Sequence, residues 1–228
     1  MTSVYAHQPY FEDNEFTFSA PYFVPDATIS TAVYADLDTG VADGISDVDY
    51  FAFQGVAGQR VLLAMSIPQI EGQDYFAPEI VLMGPGLPAT ILPASIQMPA
   101  GDNIGAVVIA DPNREAPIFF EPFSRTRYWD RQERYVPLTE DGDYLVAVWH
   151  PNGQRGRYTF VIGEREIRGG DPNFVSKMRT FWQPLPPAQQ PTPIPTATSV
   201  PASSVPASSV QEQSPYPVWR YTYPRYSY

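Results

Sequence analysis

Tyr144–His150 (YLVAVWH) and Arg157–Gly163 (RYTFVIG) are two short apolar runs joined by Pro151–Gly156 (PNGQRG). Valine, isoleucine and the aromatic residues suit a pleated, half-buried surface, and Asn152-Gly153 accepts the positive φ angles of a tight turn. The stretch reads as a β-hairpin. Working outward, Val48–Gly55 alternates with Phe51 and Phe53 on one face, and Arg60–Ile67 alternates with Val61, Leu63, Met65 and Ile67 pointing one way. The glycine-bearing turn Val56-Ala57-Gly58 joins them into a second hairpin. Thr28–Ala35, Glu79–Gly84, Ile104–Ala110 and Ile118–Phe123 are further short apolar runs. About eight strands with no amphipathic helix between them predict an all-β fold, an antiparallel β-sandwich. The long loop Pro85–Asp102 is partly apolar and is expected to be functional or to cover a sheet edge.

The flanks differ from the sandwich, which is expected over 28–170. Residues 1–27 carry Pro9, Pro21 and Pro25 and read as an extended lead-in. One short helix is expected over 171–182, with Asp171 as N-cap, Pro172 in the first turn, Phe174, Met178, Phe181 and Trp182 at helical spacing, and Pro184 as the stop. Eleven of the 26 prolines fall between Pro184 and Pro224. The segment 183–215 is rich in Pro, Ser and Thr, repeats VPASS at Val200 and Val205, and is expected to be a disordered spacer. Residues 216–228 (YPVWRYTYPRYSY) are tyrosine-rich instead. A free tail seldom carries so many aromatics. Phe174, Met178 and Trp182 of the helix, with Trp219, Tyr221 and Tyr223, are therefore expected to meet a protein partner or a second copy, or else a cell-wall or matrix polymer.

Net charge is −11, and four basic against two acidic residues from Asp171 onward leave −13 for residues 1–170. Such a surface repels phosphate backbones, which excludes nucleic acid as a partner for the sandwich. Cysteine is absent, so neither disulfides nor thiolate metal sites are available. No run approaches the roughly 18 apolar residues of a membrane helix. Val4-Tyr5-Ala6 before His7 has the small and aliphatic residues of a signal-peptide end, so an extracytoplasmic place in a bacterium, secreted or at the cell surface, is expected.

Three segments resemble the bacterial pre-peptidase C-terminal domain: Ser46–Phe53 (SDVDYFAF), Val56–Leu63 (VAGQRVLL), and Gly142–Val148 (GDYLVAV) with Gly156–Ile162 (GRYTFVI). They stand in that family's order, over 45–165 in outline, with an unusually long middle from Ile70 to Pro137. The resemblance implies a jelly-roll-like sandwich that serves as an accessory module. Some members bind matrix polymers and some bind calcium.

Few residues invite chemistry. Asp36, Asp38, Asp43, Asp47 and Asp49 lie within fourteen residues and could supply several of the six to eight oxygens calcium takes, though the spacing is not that of an EF-hand. The alternative is a solvated turn capped by its own carboxylates. His7 and His150 are the two histidines. With His7 at a mature N-terminus, its amine and ring would chelate copper, and His150 would complete a histidine brace. Two histidines, no cysteine and no G-x-S-x-G leave no nucleophile with an oriented base, so no enzyme is expected, although carboxylates such as Glu115, Glu121, Asp130 and Glu133 could be paired as in glycosidases. Among 119–129, Phe119, Phe120 and Phe123 are expected in the core. Arg125, Arg127, Tyr128 and Trp129 are expected as exposed interface anchors.

Overall fold

The computed structural model describes residues 7–38, 47–111, 115–121 and 125–186. Its strands are β1 (Gln8–Phe11), β2 (Tyr22–Phe23), β3 (Thr31–Leu37), β4 (Val48–Gly55), β5 (Arg60–Pro68), β6 (Glu79–Pro85), β7 (Ile104–Ile109), β8 (Ile118–Glu121), β9 (Thr126–Pro137), β10 (Gly142–Trp149) and β11 (Gly156–Ile162), followed by helix α1 (Phe174–Phe181). A six-stranded sheet runs β1-β3-β11-β5-β9-β8 and faces a five-stranded sheet, β2-β4-β10-β6-β7. This is the β-sandwich that the alternating runs predict.

The inward positions of each strand make one core. Phe51 and Phe53 of β4, Val61, Leu63, Met65 and Ile67 of β5, and Tyr158, Phe160 and Ile162 of β11 all lie in it. Tyr144 of β10 stacks on Phe53 at 5.5 Å, and its hydroxyl donates to the carbonyls of Pro85 and Glu140. Its ring fits because β4 and β6 present glycine on either side. A Cβ on Gly55 or Gly84 would stand 2.5 or 2.2 Å from that ring.

Four expectations change. The lead-in is part of the sandwich: β1 pairs with β3 and β2 with β4, both in parallel, so the sheets are not purely antiparallel. The twelve-residue β9 is an additional strand, paired with β5 across a bulge between Ala64 and Ser66. Helix α1 lacks a side-chain cap at its N-cap residue Asn173, and Asp171 instead accepts the Asn173 amide at 2.7 Å, ahead of the helix. Finally, Phe174 and Met178 are not an external interface. With Phe181 they are buried on Phe11 and Tyr34, covering the outer face of the six-stranded sheet, and Trp182 is half-buried beside them. Arg157 holds the helix end, donating to the Thr180 carbonyl at 2.7 Å beneath the Phe181 ring.

The outer face of the five-stranded sheet is covered too. Leu92 and Ile96 of the long loop pack with Tyr50, Val81, Met83 and Trp149, while the Pro88 carbonyl accepts the Ala106 amide beside β7. That loop covers a sheet edge. Trp219, Tyr221 and Tyr223 lie outside the described residues, as does Asp43. No helix among the described residues is long and apolar enough to cross a membrane.

Candidate functional site

Two features remain once packing is accounted for: an acidic seam between the sheets and an uncovered edge strand. The seam is built by the segment that follows β1. Glu12 donates its amide to the Tyr34 carbonyl at 2.9 Å, in the six-stranded sheet. Four residues later the Phe16 carbonyl accepts the Tyr50 amide at 2.6 Å, in the five-stranded sheet. The intervening residues cross the open side of the sandwich and carry Glu12 and Glu15 to its interior rim.

Asp49 meets them from β4. The alternation that turns Phe51 and Phe53 inward turns Asp49 inward as well, and it is 0 % exposed. Its Oδ2 accepts a 2.5 Å hydrogen bond from the Tyr158 hydroxyl. One carboxylate oxygen each from Glu12, Glu15 and Asp49 lie within 4.8 Å of one another. Glu12 Oε2 accepts the Asp36 amide at 3.0 Å, but buried Glu12 Oε1 and Asp49 Oδ1 have no hydrogen-bond partner. Glu15 is exposed and forms the solvent side of the cluster.

Burial and the neighbouring carboxylates act together here. Loss of water, then the charges of Glu15, Asp36 and Asp47, push Glu12 up to about 8 against the hydrogen bond from the Asp36 amide. Burial first and Glu12 second raise Asp49 well above the usual carboxylate range. A charge without water or a partner is costly, so the group holds a proton or finds a cation.

The sequence-predicted residues distribute around this point. Asp38 pairs with Arg155 at 2.6 Å, and its amide donates to Asp47 Oδ2 at 2.7 Å. Asp36 and Asp47 are raised by burial, the former opposed by Arg157 and Arg155. Among the described aspartates of that set, only Asp49 joins the cluster. Glu12 and Glu15 were missed by sequence reasoning, and the signal that could have found them is the acidic run Glu12-Asp13-Asn14-Glu15 immediately ahead of Phe16.

The histidines do not come together. His7 Nδ1 meets Ser30 Oγ at 2.5 Å, next to Gln8, which pairs with Thr31 at the start of β3. His150 stacks on Phe76, and its Nδ1 accepts the amides of Asn152 and Gln154 in the turn leading to Gly156, which pairs with Leu37 at the end of β3. Six strand residues, roughly 20 Å, separate the two ends, so the copper brace does not form in this fold. Burial lowers both imidazoles.

The edge strand is β8. Ile118, Phe119 and Phe120 are 61 %, 50 % and 52 % exposed, whereas Tyr128 is 4 % exposed. Expectation is partly inverted here: Phe119 and Phe120 lie outside, Tyr128 is buried and Trp129 is half-buried against the core, whereas Arg125 and Arg127 are exposed as expected and Phe123 falls outside the described residues. β8 is the last strand of the six-stranded sheet, paired on one side with β9.

No family model matches the sequence, and no curated protein matches it. Solved structures do. Salmonella Typhimurium PliG, a periplasmic lysozyme inhibitor of g-type lysozyme, is 16% identical over 62% of this chain and 96% of its own, with a TM-score of 0.33. Aeromonas hydrophila PliG, described in the same words, is 11% identical over 69% and 98%, with a TM-score of 0.33. The pre-peptidase C-terminal domain of collagenase from Bacillus anthracis is 9% identical over 61% and 91%, with a TM-score of 0.29. The last belongs to the family whose motifs the sequence resembles.

Proposed function

We propose that this chain is a non-catalytic, extracytoplasmic binding module that takes an extended protein segment along β8. The observation that carries this reading is three consecutive exposed apolar side chains, Ile118, Phe119 and Phe120, on the last strand of a sheet. An edge strand offers unpaired backbone groups, which an added strand satisfies, and its alternate side chains select what binds. Both histidines are engaged in structural contacts, which favours binding over catalysis. Selection of displayed extended peptides on the wild-type protein, with Phe120→Lys as counter-target, tests it. Enrichment of apolar, alternating peptides that fail on the variant is expected. Failure to enrich any peptide that distinguishes the two proteins removes the reading.

The tyrosine-rich residues 216–228 are the second proposed contact, serving self-association. Light scattering on the full chain against one ending at Pro186 decides it: equal monomeric masses count against assembly. Fractionation of the native bacterial host tests the location, which cytoplasmic recovery would overturn.

A further inference from the structure

We infer that the segment β8 takes is β8 of a second copy of this chain, paired antiparallel so that two sandwiches share one continuous sheet. This rests on the β8 reading and names its partner. Native sheets blunt their edges with charged residues or proline. β1, at the opposite edge of the same sheet, carries Pro9, whereas Ile118, Phe119 and Phe120 are consecutive, apolar and exposed. Charge favours a like partner here. Residues 118–137, from β8 through β9, hold three acidic residues and four arginines, a local +1 on a sandwich that carries −13 over residues 1–170. Two copies meet at this hairpin without the repulsion that their other surfaces impose.

The backbone sets the register. The Asp130 amide donates to the Pro117 carbonyl at 2.8 Å, and residues of an antiparallel strand turn their polar groups alternately toward and away from one neighbour. Phe119, opposite Tyr128, therefore bonds to β9, while Ile118 and Phe120 point their N–H and C=O groups off the sheet. A dyad through Phe119 sets Ile118 of each copy against Phe120 of the other, which makes four hydrogen bonds. The side chains agree. Ile118 pairs with Trp129, which packs on the core, and Phe120 shares that inner face. Phe119 pairs with Tyr128, whose hydroxyl accepts from the Trp182 indole at 3.4 Å on the outer, helix-covered face. The dyad keeps inner against inner, so Ile118 packs on Phe120 across the joint and the two Phe119 rings meet. About half of each of three large side chains is roughly 300 Å² a copy, against about 800 Å² a side in a standard interface. The dimer is accordingly weak and reversible, and a two-fold pairing of one edge closes at two.

Analytical ultracentrifugation of the full chain from about 1 to 500 µM is expected to show the mass rising from monomer toward dimer. Phe119→Lys and Phe119→Glu alter an exposed side chain and are expected to fold normally. Each is expected to weaken association by on the order of tenfold or more, because like charges then face each other across the dyad, and mixing the two variants is expected to restore it. Disulfide trapping reads the register. The chain has no cysteine, and residues opposite each other in this kind of pair stand about 4.5 Å apart at Cα, within disulfide reach. Phe119→Cys is therefore expected to crosslink in oxidised glutathione on the order of tenfold faster than Ile118→Cys, which is more exposed but out of register. A monomeric mass throughout, association unchanged by Phe119→Lys, or crosslinking of Phe119→Cys no faster than that of Ile118→Cys overturns the second copy as partner. Peptides selected on β8 would in that case uphold the β8 reading alone, and failure of both experiments removes both.

Discussion

Glu12 is held by the fold at about 8 against an ordinary value of 4.5, so at neutral pH the folded protein favours its protonated form. The folded state then binds more protons than the unfolded chain, and the stability from that proton is full below about pH 4.5 and is lost as pH rises toward about 8. Tm is expected to fall across that window, and Glu12→Gln to flatten the decline. Differential scanning fluorimetry from acid to mild base measures this, and a slope that Glu12→Gln leaves unchanged would assign the effect elsewhere. Tyr158→Phe strips Asp49 Oδ2 of its donor and leaves both carboxylate oxygens bare, at an expected cost of about 1–3 kcal/mol in urea unfolding. Tyr135→Phe, which removes an exposed bond to Glu164, should cost little. Asp49 was legible: the alternation that turns Phe51 and Phe53 inward also turns it inward. Reading it with the neighbouring loop aspartates hid a fully buried carboxylate among half-buried ones. Glu12 and Glu15 were not legible as partners, because nothing local says that a segment 34 to 37 residues upstream crosses to β4.

Elements were legible where alternation is clean. The β4–β5 and β10–β11 pairs have it, and the turns between them carry glycine. β9 does not, because the bulge opposite Ala64 and Ser66 places Arg131 and Gln132 consecutively in buried positions, where Arg131 pairs with Asp111 at 3.3 Å and Gln132 donates to the Pro78 carbonyl. β1 was obscured by Pro9, which lies on an edge strand, where the missing amide is tolerated. Helix α1 was read correctly as amphipathic, but spacing does not tell which surface its apolar stripe covers. Since that surface is its own sheet, Met178→Ala is expected to cost about 2–5 kcal/mol, against roughly 0.5 kcal/mol or less for the exposed Val175→Ala. Equilibrium unfolding compares the two, and equal small losses would mean that the helix face contributes little to stability.

At the scale of the whole molecule, residues 8–23 complete both sheets and belong to the fold rather than to its approach. A chain beginning at Thr28 loses Phe16 and Val24 from the core and Phe11 from beneath the helix, and it exposes the edges of β3 and β4. It is expected to be insoluble or to melt well below the full chain, as circular dichroism on heating would record, and an unchanged Tm would contradict this account of the N-terminal segment. The parallel pairing of β1 with β3 has a mechanical consequence. His7 precedes the pair Gln8–Thr31, whereas the Pro186 carbonyl is held by Arg155, adjoining Gly156, which pairs with Leu37 at the far end of β3. Tension between these two points runs lengthwise along the strands, loading the β1–β3 rungs together in shear instead of unzipping them in turn. A sandwich loaded in this way behaves as a strut, bearing force along its length rather than across its rungs.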